Sequence, residues 1–295
     1  MSEGIIPSHT PQETVREPIV DGIFYPGEKD ELYSEIENLF NTAEQTVEQS
    51  VNGTIPRKAA AIISPHAGYG FSGSVAAAAF LAARERIVDT VVILGPVHRD
   101  PRDEIYLTES TAFKTPLGEV PVDQQLVEEM NGFSNKIVKN DIPHLEEHCI
   151  ETQLPFVQYL FPEASIVPIL LGKTSMTNTE LLVQLIQFTL ADMMDSTLFV
   201  VSANMSAYKT LREAKQGYET CISLLHERKW QQIIRAAENG TIGSCGAGCI
   251  ACLLALFGEK IKIDIMKTDN SSRLGDETEK IIYYAGISIS EEDNA

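Results

Sequence analysis

Four short runs of aliphatic and β-branched residues, separated by longer helical segments, restrict the fold of this chain more than any other feature. They are Ala59-Ala60-Ala61-Ile62-Ile63, Thr90-Val91-Val92-Ile93-Leu94, residues 165–171 and residues 197–202. Each is near-continuously apolar, as expected of strands covered on both faces. Helical patterns lie around them, over 29–46 (Leu32, Ile36 and Leu39 at helical spacing), 74–83, 124–130 (capped by Asp123), 178–194, 211–226, 228–238 and from Cys245 to Phe257. Weaker strand patterns cover 104–111, 119–122, 260–267 and 280–289. Pro143 is expected to open a helix that carries His144, Glu146, Glu147, His148 and Glu151, with Pro155 kinking or ending it. The alternation predicts an α/β fold, a mostly parallel central sheet with helices on both faces. No domain-sized repeat or internal boundary is visible, so 16–295 reads as one domain behind a polar, loosely held 1–15. Asn52-Gly53 marks a turn in the linker 47–56.

The formal net charge of −19 over 295 residues argues against nucleic acid or an anionic membrane as partner, since both require clustered Lys and Arg. No basic-then-apolar N-terminal stretch reads as a signal peptide, and no apolar run is long enough to span a bilayer. Five cysteines, an odd number, suit free thiols in a reducing compartment, so the expected location is the cytoplasm.

The chemistry concentrates at strand ends. The first run leads into Ser64-Pro65-His66-Ala67-Gly68-Tyr69-Gly70, and the second into Gly95-Pro96-Val97-His98. Ligands of open α/β sheets bind off the carboxyl ends of strands, so these turns can aim two imidazoles at one place. Cys245 opens a late helix, where exposed amides favour a thiolate. Two imidazoles and a thiolate suit iron, copper or zinc. The alternative is two backbone-bonded loop histidines and a buried thiol.

Two other patterns compete. His144-Leu145-Glu146-Glu147-His148 fits H-x-x-E-H, which on one helix face could grip zinc with Glu147 as base of a protease. Cys245-x3-Cys249-x2-Cys252 has the spacing of an iron–sulfur cluster, but it lies within Ile250, Leu253 and Leu254, where small core residues are expected. The glycine-rich loop is neither a dinucleotide fingerprint nor a phosphate loop, so it gives nucleotide binding no specific support.

With these residues in view, the chain resembles the Memo family (mediator of cell motility), which includes the AmmeMemoRadiSam system protein B members. The resemblance rests on Arg16-x-Pro18 with Gly22-Ile23-Phe24-Tyr25-Pro26, Pro65-His66-Ala67-Gly68-Tyr69 and Leu94-Gly95-Pro96-x-His98. It continues through Thr115-Pro116-Leu117-Gly118, Glu147-His148 with Glu151 and Gln153-Leu154-Pro155-Phe156, Cys245-Gly246, and Gly275-Asp276 with Tyr284-Ala285-Gly286. It implies a fold like that of the class III extradiol dioxygenases. It also implies a metal site of His66, His98 and Cys245, with iron or copper redox chemistry favoured over zinc. Tyr69 and Glu151 are implied as pocket residues.

The chain departs from the family pattern after the 197–202 strand. Where the family has Ser-Ser-Asp-x-x-His, this sequence reads Ser202-Ala203-Asn204-Met205-Ser206-Ala207, which places Asn204 and Ala207 in the pocket. Asn204 lacks the charge, and Ala207 lacks an acid–base group; His148 or Tyr208 could substitute as the catalytic group. The expectation is a metal-dependent oxidoreductase, weakened or inactive. The alternative is a non-catalytic module that binds a small molecule or peptide in the same pocket.

Overall fold

Apolar runs flanked by glycine, proline and helix caps become strands in the computed structural model, which describes residues 14–50, 57–99, 101–274 and 280–292. Along the chain the strands are β1 (Val15–Arg16), β2 (Ala61–Ser64), β3 (Thr90–Pro96), β4 (Ile105–Leu107), β5 (Ala112–Thr115), β6 (Gly118–Pro121) and β7 (Ile137–Lys139). Then come β8 (Ser165–Leu171), β9 (Thr197–Ser202), β10 (Ser206–Tyr208), β11 (Ile261–Asn270) and β12 (Ile281–Glu291). The helices are α1 (Lys29–Ser50), α2 (Tyr69–Leu81), α3 (Gln124–Asn131), α4 (Asp141–Glu146), α5 (Leu154–Leu160), α6 (Met176–Thr189), α7 (Leu211–His226), α8 (Trp230–Glu238) and α9 (Ala247–Phe257).

The main sheet runs β10-β12-β2-β9-β3-β8-β4-β7, with β11 paired to β12. Its centre, β2-β9-β3-β8, is parallel, and the pairings β12–β2 and β8–β4 are antiparallel. Every residue of β2, β3 and β9 is buried. The connection β2–α2–β3 crosses the sheet in one direction, and β8–α6–β9 crosses in the other. Right-handed crossovers therefore put α2 and α6 on opposite faces, so both sides are covered. The α/β layering and the parallel centre are as the alternation predicts, while the flanking pairings β10–β12, β11–β12, β12–β2 and β8–β4 are antiparallel and make the sheet mixed. The all-round apolar α9 packs on β3 and β9, between α6 and α8. A separate three-stranded sheet, β1-β5-β6, lies to one side.

The expectations for 1–13, Asn52-Gly53 and Gly275-Asp276 fall outside the described residues. Val15, expected to be loosely held, is paired with Ala112.

One helix is corrected. The pattern after Pro143 does not give a single helix through Glu151, because α4 stops at Glu146 and Glu147 is extended (φ −100°, ψ 134°). The cause is Arg16, 1% exposed, which donates from Nε to the His144 carbonyl (3.0 Å) and from Nη2 to the Glu147 carbonyl (2.9 Å). A cation there satisfies carbonyls at a helix end. The chain resumes as a 3-10 turn over Glu151–Gln153, and Pro155 opens α5 rather than ending a helix.

Candidate metal centre

The parallel core brings three strand ends to one edge of the sheet. His66 lies two residues beyond β2 and His98 two beyond β3, while Ser202, the last residue of β9, is opposite Ser64 in register. Cys245 comes to the same edge just ahead of α9. An added Cβ at Gly246 would collide with the Cβ of Ala203, so only glycine lets this turn approach β9 so closely.

The side chains converge. One nitrogen each from His66 and His98 and Sγ of Cys245 lie within 4.8 Å of one another. Cys245 Sγ is 3.3 Å from His66 Nε2 and receives the Asn204 backbone N–H at 3.4 Å. Ser202 Oγ donates its proton to the Cys149 carbonyl (2.7 Å), so it accepts from His66 Nδ1–H at 2.9 Å. Gln153 Nε2 donates to the same hydroxyl at 3.1 Å. This network places a proton on His66 Nδ1 and turns the Nε2 edge towards the sulfur.

His98 is held differently. Its Nδ1 meets Glu147 Oε2 at 2.7 Å, and Glu147 Oε1 accepts from the His98 backbone N–H. Burial opposes charge on this imidazole, but hydrogen bonds with Cys245 and Glu147 outweigh it and raise its pKa to about 10. Burial likewise opposes the Cys245 thiolate, yet the His66 and His98 rings bring its pKa down to about 5. The two rings thus favour the thiolate form of Cys245. Glu147, despite burial, is kept below the ordinary carboxylate range by His98.

His148 completes the cluster. Its ring centroid is 5.4 Å from those of both His66 and His98, stacked on the latter at 12°. Phe24 covers another side at 5.0 Å. Burial and the two neighbouring histidines push its pKa down to about 4, so it is neutral.

These residues fit a metal ion. Each imidazole has one nitrogen held by an oxygen, as expected where a partner orients a ligating ring, and the third donor is biased towards its thiolate form. The buried Asn204 Oδ1 adds an acceptor with no partner among the described residues.

The other expected site residues take different places. Tyr69 is 5% exposed and donates its hydroxyl to the Thr152 carbonyl. The Glu151 carboxylate, fully buried, is taken up by Arg16, the Ile19 and Val20 amides and the Tyr25 hydroxyl. Ala207 sits on β10 paired with Ile282, and the Tyr208 hydroxyl donates to the Gly240 carbonyl at 3.0 Å. Cys249 and Cys252 are buried in α9, where burial raises both thiol pKa values.

The zinc-protease geometry is overturned. His144 is 1% exposed against Phe113 (5.9 Å) and belongs to neither group of donors that could share an ion. The two histidines of H-x-x-E-H do not lie on one helix face, because the helix ends between them. Ser202 and Gln153 escape the sequence reading as supports of the site. Their signals are that Gln153 and Ser202 lie within the family motifs and that Ser202 ends a buried strand beside the histidine loop.

The Memo-like protein family model matches residues 16–288. The chain belongs to the Memo family. Curated relatives named as MEMO1 family proteins agree over almost the whole chain. One from Thermotoga neapolitana is 31% identical over 94% of this chain and 100% of its own length. Others are from Thermoplasma acidophilum (30% identical; 92% of this chain, 97% of the relative) and Sulfurisphaera tokodaii (34%; 82% and 87%). A solved structure, an uncharacterized protein from Escherichia coli K12, shares the fold with a TM-score of 0.50 at 12% identity. It matches over 76% of this chain and 98% of its own. Among the described residues of this Memo protein, no helix is long and apolar enough to cross a membrane.

Proposed function

We propose that this Memo protein binds a redox-capable divalent metal, iron or copper in preference to zinc, through His66, His98 and Cys245. The observation that carries the reading is the convergence of the three donors within 4.8 Å, each supported from behind. A thiolate with two imidazoles favours soft and borderline ions and leaves coordination positions for an external ligand. Such an ion would supply one-electron or oxygen-directed chemistry when bound.

The chain's own residues set the limits of that chemistry. Ser202 and Glu147 orient the imidazoles, and Asn204 brings an amide N–H to the sulfur. His148 is adjacent and neutral, and its lowered pKa makes it a weak base. Asn204 and Ala207, which replace the Asp and His of the family pattern, leave the site without a second carboxylate and a second acid–base group. We therefore assign weak oxidoreductase chemistry to the site, or none.

A non-catalytic reading is favoured by one observation. Ile142, 65% exposed, and the buried Glu147 line a common cavity of about 130 Å³, and Ile23, next to Phe24, is 76% exposed. Val97 and Ile142 line that cavity together with Arg99, Arg102 and Tyr106, which suits a small molecule or peptide carrying both apolar and anionic groups.

The test is elemental analysis after anaerobic purification of wild type, Cys245→Ser and His66→Ala. Near-stoichiometric iron or copper in wild type, lost in both variants, is expected. A wild-type protein that stays metal-free after reconstitution would refute the assignment and leave the ligand-binding reading.

A further inference from the structure

His98 faces the Cys245 sulfur at one edge of its ring and the Glu147 carboxylate at the other. We propose that a second divalent cation binds between His98 Nδ1, Glu147 and His148, so that His98 bridges two ions as an imidazolate. The inference rests on the reading of His66, His98 and Cys245 as the first site.

Three observations support it. First, His98, Glu147 and His148 each place a donor atom within 4.8 Å of the others, as compact a group as the first trio. Second, Glu147 Oε2 and His98 Nδ1 are 2.7 Å apart with one proton between them, a position where a cation can replace that proton. Third, the His148 ring meets Phe24, His66 and His98, all rings, among the described residues. None of these contacts occupies a ring nitrogen, and rotation of the His148 ring out of its stack on His98 turns an in-plane lone pair towards His98 Nδ1.

The fold produces this arrangement at a distance. Arg16 holds the carbonyls of His144 and Glu147, ends α4, and so turns Glu147 and His148 towards His98 instead of leaving them on a helix. The motif that resembled a protease site thus supplies two ligands through its last two residues, while His144 stays in the core.

Charge and protons balance. Binding of the second ion expels the Nδ1 proton to solvent. Two dications then face a thiolate, a carboxylate and an imidazolate, leaving one positive charge for a bound hydroxide or an anionic ligand. Soft and borderline ions are expected at the thiolate side. The second position, with two nitrogens and a carboxylate, accepts zinc, copper or cobalt.

The experiment titrates metal-free full-length protein with Co²⁺ and Cu²⁺ under anaerobic conditions. It follows stoichiometry, the thiolate-to-metal charge-transfer band and the electron paramagnetic resonance of the Cu²⁺-loaded form. Wild type is expected to take up two equivalents, with the band appearing for one of them and an exchange-coupled spectrum at saturation. His148→Ala is expected to take up one equivalent, keep the band and lose the coupling. A single equivalent in wild type, with the band present, overturns the second site and leaves the first intact. Two uncoupled equivalents, both retained in His148→Ala, also overturn it. Uptake without any thiolate band would overturn the first site and with it the bridge. The wild-type spectrum decides the matter even if the variant fails to fold.

Discussion

Glu151→Gln isolates what the buried ion pair contributes. The carboxylate accepts from Arg16 Nη1, from the Ile19 and Val20 amides (2.9 and 3.0 Å) and from the Tyr25 hydroxyl (2.6 Å), with both charged side chains at most 1% exposed. An amide keeps the shape and one oxygen but turns N–H groups towards a donor, leaving the Arg16 charge without a counter-ion. Breaking a buried pair from one side costs about 3–5 kcal/mol. That corresponds to a rise of roughly a few hundred- to a few thousand-fold in the open population. The loss is expected first as opening of residues 16–25, whose other ties include the Tyr69 N–H to Phe24 carbonyl bond at 2.7 Å. Hydrogen exchange at the Ile19 and Val20 amides reads the local opening, and urea unfolding reads the global loss. Arg16→Met with Glu151→Met removes the lone charge but is not expected to recover the deficit, because the Ile19 and Val20 amides, the Tyr25 hydroxyl and the His144 and Glu147 carbonyls then lose their buried partners. A Glu151→Gln protein within about 1 kcal/mol of wild type, with unchanged exchange at both amides, would refute the reasoning.

Two further outcomes are expected. Burial lowers the pKa of His144 from 6.5 to about 4, against the pull of Asp141 and Glu147 and with the repulsion of Arg16. A histidine depressed on folding contributes stability that is full above its unfolded value and is lost as pH falls through the window from 6.5 to about 4. A shift of this size is worth about 3 kcal/mol. In urea titrations at several pH values, the stability of wild type relative to His144→Leu should fall as pH drops through that window; a constant relative stability would argue against a neutral buried imidazole. Ser202→Ala leaves His66 Nδ1 and Gln153 Nε2 without their shared acceptor, and a lost orienting partner costs about 10–100-fold in metal affinity. Competition with a chromophoric chelator measures it, and unchanged affinity would mean that Ser202 does not orient the ring.

The legible parts of this fold were those decided locally. Strands β8 and β9 match the apolar runs 165–171 and 197–202 because each run is bounded by residues that stop a strand. Helix α2 begins five residues earlier than its alanine pattern, since Gly70 and Gly73 read as loop. Gly73 instead lies in the helix because an added Cβ would meet the Leu39 side chain and Tyr69 Cβ, so its smallness serves the packing of α1 on α2. The break after Glu146 was invisible because its cause, Arg16, lies 128 residues away from His144. The same division holds at the candidate centre. His66, His98 and Cys245 announce themselves at strand and helix ends. Glu147 was legible as a carboxylate but not as the partner of His98, since that pairing depends on the break in α4.

The separation of the donors along the chain has a consequence for biogenesis. His66 and Cys245 are 179 positions apart, and the segment between them supplies β3, β8 and β9, which set the two residues side by side. A chain still emerging from the ribosome can present both imidazoles long before the sulfur exists, yet it cannot complete the clasp. An ion bound by all three groups would therefore be acquired after synthesis and would tie the early and late portions of the polypeptide together. Loss of that ion would remove this tie between the two portions, although the rest of the fold continues to hold them together.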